Sequence, residues 1–95
     1  MTYLARVELH TANWANYDTL HAAMAKRGFQ RTIRGDDGVV YQLPTAEYLI
    51  DTTATGEQVR AAAVAAADST GKAHEVFVVH YEAAWWTGLA KVRIA

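Results

Sequence analysis

The first third of the chain changes from an alternating to a helical pattern of apolar residues. The apolar face of positions 2–10 consists of Tyr3, Ala5, Val7 and Leu9. This period of two is typical of a half-buried strand. Apolar residues then recur at helical spacing over 14–27, preceded by Thr11 and Asn13, either of which can cap a helix. Gly28 follows where a left-handed C-terminal cap favours a residue without Cβ.

The middle of the chain has the pattern of a hairpin. Residues 29–34 and 39–43 alternate and flank Gly35-Asp36-Asp37-Gly38, which suits a tight turn. Pro44 must interrupt the second strand or lie on its edge, because proline has no N–H for the strand ladder. We expect residues 46–51 to continue that strand after a bulge.

The second half predicts another helix and another strand. Thr55 and Gln58 fit a capping box for a helix that runs to about Ser69 and ends at Gly71. Small residues on its inner face allow a close approach to a sheet. Residues 74–82 are the most β-prone stretch of the chain. The tail over 85–94 is a candidate for a short extra strand.

The order βαββαβ predicts an α+β fold of the ferredoxin-like sandwich type. Right-handed crossovers make the two β-α-β halves interleave into one antiparallel sheet with both helices on one face. We expect one domain over residues 1–95, since this length lies within the single-domain range of roughly 50–200 residues. The other face of the sheet is expected to be bare unless something covers it.

Composition excludes several classes of function. The chain has no cysteine, which rules out disulfides and thiolate metal sites and fits a cytoplasmic location. We expect no signal peptide, because residues 1–6 show no apolar run after a basic segment. We expect no membrane partner, because the longest apolar run, 61–67, is far shorter than the roughly 20 residues that span a bilayer. No phosphate-binding loop or other cofactor motif occurs, so no cofactor is expected. The net charge of −1 restricts any nucleic-acid site to a local patch.

One such basic patch is present. The basic residues that fall within nine positions are Lys26, Arg27, Arg31 and Arg34. Arg6 lies on the first predicted strand. Basic residues interleaved with aromatic ones are typical of single-stranded nucleic-acid binding. Ordinary solvated charge is the alternative, because Asp36 and Asp37 dilute the field.

The histidines show no metal-ligand spacing. His21, one helical turn from Tyr17, is interpreted as a packing or surface residue. His10 ends the first strand, where functional residues often lie, and is a candidate catalytic or phosphate-contacting residue. Asp36 and Asp37 are interpreted as turn residues, so no metal site is predicted.

Trp85 and Trp86 are adjacent, and neighbours on a strand point to opposite faces. They therefore cannot both enter one core. One of them can cover the bare sheet face, seal a dimer or stack on a nucleobase. Tryptophan is enriched at binding hot spots, which favours an interface role for this pair.

Several blocks of the sequence resemble the GhoS family. The blocks are RVELH at 6–10, LHAAM at 20–24, GFQRTI at 28–33, LPTAEY at 43–48 and WTGL at 86–89, together with Tyr17. The resemblance implies a ferredoxin-like antitoxin of a type V toxin–antitoxin system, an endoribonuclease that cuts the messenger RNA of the toxin. Small CRISPR-associated nucleases share this architecture and dimerise, which implies a homodimer.

The resemblance also implies a functional arginine after the first helix, and Arg27 or Arg31 fills that place. Related nucleases carry an acidic residue at the end of the first strand. This chain has His10 and Thr11 there, so metal-dependent cleavage is not expected. The arginine would stabilise charge on the cleaved phosphodiester and His10 would move the proton. The residues expected to bind nucleic acid are Lys26, Arg34 and Arg6.

Two functions from different classes follow. The first is a GhoS-like protein that binds single-stranded RNA and acts as an antitoxin and metal-independent endoribonuclease. The alternative is a non-catalytic interaction module, such as a phage- or mobile-element-encoded inhibitor. It would bind a host or toxin-system protein through the open sheet face, Trp85 and Trp86.

Overall fold

A computed structural model describes residues 1–92 of the chain. The elements in chain order are β1 (Thr2–Leu9), α1 (Trp14–Lys26), β2 (Thr32–Arg34), β3 (Val40–Gln42), β4 (Glu47–Asp51), α2 (Gly56–Asp68) and β5 (His74–His80). All strand pairs are antiparallel. The predicted α+β class with two helices is therefore confirmed.

The strands form two sheets. β1 lies at the centre of a three-stranded sheet of order β4-β1-β5, and β2 pairs only with β3. An isolated bridge joins Gln30 to Leu49 through two reciprocal backbone hydrogen bonds of 2.7 Å. The residues just before β2 therefore run beside the outer edge of β4.

Residues 46–51 do not continue the strand that precedes Pro44, and this part of the prediction is wrong. β3 ends at Gln42, and a turn follows in which the Glu47 N–H donates to the Pro44 carbonyl at 2.9 Å. Since Pro44 has no N–H of its own to extend the ladder, the chain leaves the hairpin there and enters the central sheet as β4. The order in the described residues is βαβββαβ.

Both helices lie on the same face of the central sheet. One apolar cluster joins β1, β4, α1 and α2, and it consists of Tyr3, Ala5, Val7, Leu9, Leu20, Met24, Phe29, Tyr48, Val59, Ala63, Ala66 and Ala67. The alternation along β1 and the small residues of α2 predicted this packing. Asn13 is the N-cap of α1, and Thr55 with Gln58 forms the predicted capping box of α2.

The second face of the sheet is only partly bare, because other parts of the chain cover some of it. Leu49 on β4 is buried although it points away from the helices, and Leu43 beside the hairpin is buried with it. The β2–β3 hairpin and the residues after β5 enclose a groove of about 320 Å³ over Leu4 and Val79. These apolar side chains favour cover because exposing them to water costs free energy. Toward β5 the face stays open, and Phe77 is 64% exposed.

The predicted extra strand at the C-terminus appears as an isolated pair. Lys91 pairs with Tyr41 in antiparallel register, while Arg93 and Ile94 lie outside the described residues. Trp86 packs edge-on against Tyr41, with ring centroids 5.4 Å apart, whereas Trp85 is 88% exposed. The two tryptophans thus have different environments.

Candidate functional site

A histidine and a tyrosine meet where α1 packs against β4. Tyr48 is fully buried on the helix-facing side of β4, opposite Ala5. Its hydroxyl lies 2.6 Å from Nδ1 of His21, which is half-buried on α1. A buried phenol requires a polar partner, and among the described residues His21 is that partner.

The surroundings set the protonation state of both groups. Burial raises the pKa of Tyr48, so the phenol keeps its proton at neutral pH. Burial, followed by the positive charge of Arg31, lowers the pKa of His21, while Asp18 acts in the opposite direction. His21 is therefore a neutral imidazole at neutral pH. Since Nδ1 contacts the phenol, Nε2 is the ring nitrogen left for proton exchange.

Arg31 joins this pair from the segment between α1 and β2. Because Gln30 pairs with Leu49, extending the antiparallel register by one residue sets Arg31 opposite Tyr48, on the same face. The Arg31 Nε is buried and has no hydrogen-bond partner within residues 1–92. A buried donor without a partner costs free energy. His21, Tyr48 and Arg31 are called the polar cluster below.

Two aromatic residues extend the polar cluster along α1. Trp14, Tyr17 and His21 follow i, i+3, i+7 spacing and so lie on one stripe of the helix. The rings of Tyr17 and His21 are 6.3 Å apart, and the Tyr17 hydroxyl accepts the Leu9 N–H at 3.1 Å. Trp14 is 75% exposed, and with Tyr17 and residues 45–46 it lines a groove of about 330 Å³. Two aromatic side chains thus lie on the same stripe of α1 as the imidazole.

The predicted basic patch is spread over separate places. Arg27 is the C-cap of α1 and donates to a carbonyl one turn back at 3.1 Å, next to the exposed Lys26. Arg34 lies on the β2–β3 hairpin and donates to the Gly38 carbonyl at 2.9 Å. Of these residues, Arg31 is the one whose charge lowers the pKa of His21.

Arg6 and His10 lie on the other side of the sheet. Arg6 forms ion pairs with carboxylates of β1 and β4. The Nε2 atom of His10 lies 3.0 Å from a carboxylate oxygen of Glu75, and both side chains are largely exposed. The structure therefore brings Arg31 together with His21, and it separates Arg31 from His10.

Sequence reasoning did not predict the pairing of His21 with Tyr48. The two residues are 27 positions apart, on a helix and a strand that meet only in the folded chain. Two local signals were available. Tyr17 and His21 border the apolar face of α1, and Tyr48 places a hydroxyl on the inner face of a strand, where it needs a polar partner.

The sequence of the chain matches a known protein family. A family model described as endoribonuclease GhoS matches residues 1–87. The chain belongs to the GhoS family. The match confirms the resemblance of the sequence blocks, and it spans every residue of the GhoS polar cluster and both tryptophans of the tail. No curated protein sequence matches the chain significantly.

Two other kinds of feature are not found in the described part of this GhoS chain. Neither helix within residues 1–92 is long and apolar enough to cross a membrane. The same residues contain no group of three or more His, Asp or Glu side chains that could hold a metal ion. The chemical groups that the polar cluster offers are an imidazole, a phenol and a guanidinium.

Proposed function

We propose that this protein is an RNA-binding, metal-independent endoribonuclease of the antitoxin type, with the polar cluster as its active site. The supporting observation is a neutral His21, held at Nδ1 by Tyr48 beside the unpaired Nε of Arg31, in a chain of an endoribonuclease family. A ferredoxin-like architecture belongs to the proposal. It is supported by the order β5-β1-β4, followed by the Gln30 segment beside β4.

The proposed reaction uses the RNA's own 2′-hydroxyl as nucleophile. Nε2 of His21 takes the 2′-hydroxyl proton as general base, and the 2′-oxygen attacks the adjacent phosphorus. The bond from phosphorus to the 5′-oxygen of the next nucleotide breaks, and that oxygen takes a proton from water. The hydroxide left behind recovers the proton from Nε2, which returns His21 to its neutral form. Arg31 stabilises the added negative charge on the phosphate oxygens. The products carry a 2′,3′-cyclic phosphate and a 5′-hydroxyl.

Tyr48 has a positioning role in this scheme. For Nε2 to act as base, the neutral ring must carry its proton on Nδ1, and the Nδ1–H then donates to the Tyr48 oxygen. The same hydrogen bond is kept after Nε2 is protonated. The phenol thereby keeps the imidazole oriented and stabilises the imidazolium during the reaction.

The aromatic stripe supports single-stranded RNA as the substrate. Trp14 precedes His21 by seven residues, or about 10 Å along the helix, a distance that a nucleotide with its phosphate can span. A base stacked on an exposed indole contributes about 1–3 kcal/mol. Since the net charge is −1, stacking would contribute a larger share of the affinity than in a basic protein.

The decisive experiment is cleavage of single-stranded RNA in the presence of a metal chelator. We expect His21→Gln to lower the cleavage rate about 10²- to 10⁴-fold, and an RNA with a 2′-deoxynucleotide at the cleaved position to remain intact. His10→Gln is the matched control and should retain activity. Loss of activity in His10→Gln but not in His21→Gln would move the site to His10. No cleavage by the wild type, with chelator or with added Mg²⁺ or Mn²⁺, would end the enzymatic proposal.

A second candidate function, a non-catalytic protein-interaction module, rests on Trp85. This indole is 88% exposed and borders the groove over Leu4 and Val79 on the open face. If this candidate is correct, a host or toxin-system protein should bind the chain in a stoichiometric complex. That protein should bind the Trp14→Ala variant and should not bind the Trp85→Ala variant. Retention of that protein by Trp85→Ala would remove its support.

A further inference from the structure

The outer edge of β5 is open within residues 1–92. β5 pairs with β1 in unbroken register from His74 to His80, and no strand pairs with its other edge. The remaining edges are covered by other parts of the chain. Gln30 pairs beside β4, and residues 90–92 bond to β3.

β5 also lacks most of the features that protect edge strands. It is seven residues long and contains no lysine, proline or glycine, and its register with β1 shows no bulge. Phe77, at its midpoint, is 64% exposed. Proteins normally shorten, charge, bend or cover such an edge, because its free N–H and C=O groups are a template for another strand.

The hydrogen bonds at both ends of β5 show which backbone groups point outward. The Tyr81 N–H donates to the Thr2 carbonyl at 3.1 Å, and the His10 N–H donates to the Ala73 carbonyl at 2.8 Å. The backbone N–H and C=O groups of an antiparallel strand point to one neighbour at every second residue and to the other side in between. The odd-numbered residues of β5 therefore form the hydrogen bonds to β1. The residues whose N–H and C=O point away from β1 are His74, Val76, Val78 and His80.

We propose that β5 pairs antiparallel with β5 of a second copy of this chain, about a twofold axis at Phe77. In this register Val76 faces the partner's Val78, and His74 faces the partner's His80. Every outward group on both strands is then used, in about eight backbone hydrogen bonds. Moving the axis to Val76 or Val78 leaves one end residue of each strand unpaired and forms only about six bonds.

The side chains are complementary in the same register. Phe77 meets its own copy in a non-hydrogen-bonded pair, the geometry that brings cross-strand aromatic rings closest. Glu75 faces the partner's Val79, so no two carboxylates are opposite each other. The interface lies at the sheet edge away from β4 and the polar cluster. It therefore stands whether or not the chain cleaves RNA.

Disulfide trapping tests the register, because the chain has no cysteine of its own. Phe77→Cys should form a covalent dimer under mild oxidation, since the Cα atoms of such a pair are about 4.5 Å apart, within disulfide range. Glu75→Cys is the matched control on the same strand face. It lies four residues from its symmetry mate, about 13 Å, and should form no covalent dimer. Faster trapping of Glu75→Cys, Val76→Cys or Val78→Cys than of Phe77→Cys would overturn the register.

Sedimentation equilibrium tests the interface itself. The wild type should dimerise as its concentration rises. Phe77→Lys, whose side chain points to solvent, should keep the same circular dichroism spectrum and weaken dimerisation about tenfold or more, since a lysine pair at the axis places like charges opposite each other. A wild type that stays monomeric throughout the concentration series would overturn the proposal, as would a Phe77→Lys variant that dimerises equally well.

Discussion

Replacing Tyr48 by phenylalanine removes the single hydroxyl that connects β4 to His21. The ring is fully buried and stays packed in the core, so the substitution opens no cavity of side-chain size. What is lost is the 2.6 Å hydrogen bond to Nδ1 of the imidazole. The change therefore isolates the positioning role proposed for Tyr48.

The size of the effect follows from the burial of the two partners. A hydrogen bond of this kind contributes about 0.5–1.5 kcal/mol net to the free energy of unfolding. His21 is half-buried and its Nδ1 can bind water in the variant, so we expect a loss of about 1 kcal/mol. In a domain of this size, that loss lowers Tm by roughly 4–8 °C. The same amount, lost as alignment in the transition state, slows cleavage about fivefold.

Tyr3→Phe is the matched control for Tyr48→Phe. Tyr3 is also a buried core tyrosine, and its hydroxyl donates to the Ala54 carbonyl at 3.2 Å, a contact outside the polar cluster. Thermal unfolding should show similar losses for both variants, while RNA cleavage should fall only in Tyr48→Phe. Equal cleavage rates in Tyr48→Phe and Tyr3→Phe would refute the positioning role of the phenol.

Four further predictions follow from the packing and the charges. Arg31→Gln removes a charge that lowers the pKa of His21, so an NMR titration should show this pKa rising toward about 6.5. An unchanged pKa would contradict the proximity of the Arg31 guanidinium to the His21 ring. The pKa of His21 is lower in the folded chain than in the unfolded chain, so the unfolded chain binds more protons once the pH falls below about 6.5. In urea denaturation, the wild type should therefore lose stability relative to His21→Gln below that pH, and the difference between the two should not change at neutral pH. Trp14→Ala should weaken the binding of a non-cleavable 2′-O-methyl RNA about fivefold or more in fluorescence anisotropy, whereas the exposed control Trp85→Ala should bind normally; equal binding by both would exclude Trp14 as a stacking surface. Ala63→Leu overpacks the buried contact of α2 with the sheet and should lower the free energy of unfolding by about 1–3 kcal/mol; unchanged stability in urea would argue against close packing there.

Local sequence determined the features whose causes are local. Both helices and the capping box at Thr55 were predictable, because a cap involves residues three positions apart. The alternation along β1 identified its buried face, since side chains on a strand change sides at every residue. The family was also recognisable from short blocks of sequence, which the match over residues 1–87 confirmed.

Only the tertiary structure decided how these elements combine. The separation of β3 from β4 at Pro44 and the cover over Leu49 depend on contacts between distant segments. The polar cluster depends on the bridge between Gln30 and Leu49, which sets Arg31 opposite Tyr48. A slip of one residue in that pairing would turn Arg31 to the opposite face of the sheet, away from His21. Register is a property of paired strands, and the alternation of a single strand does not specify its partner.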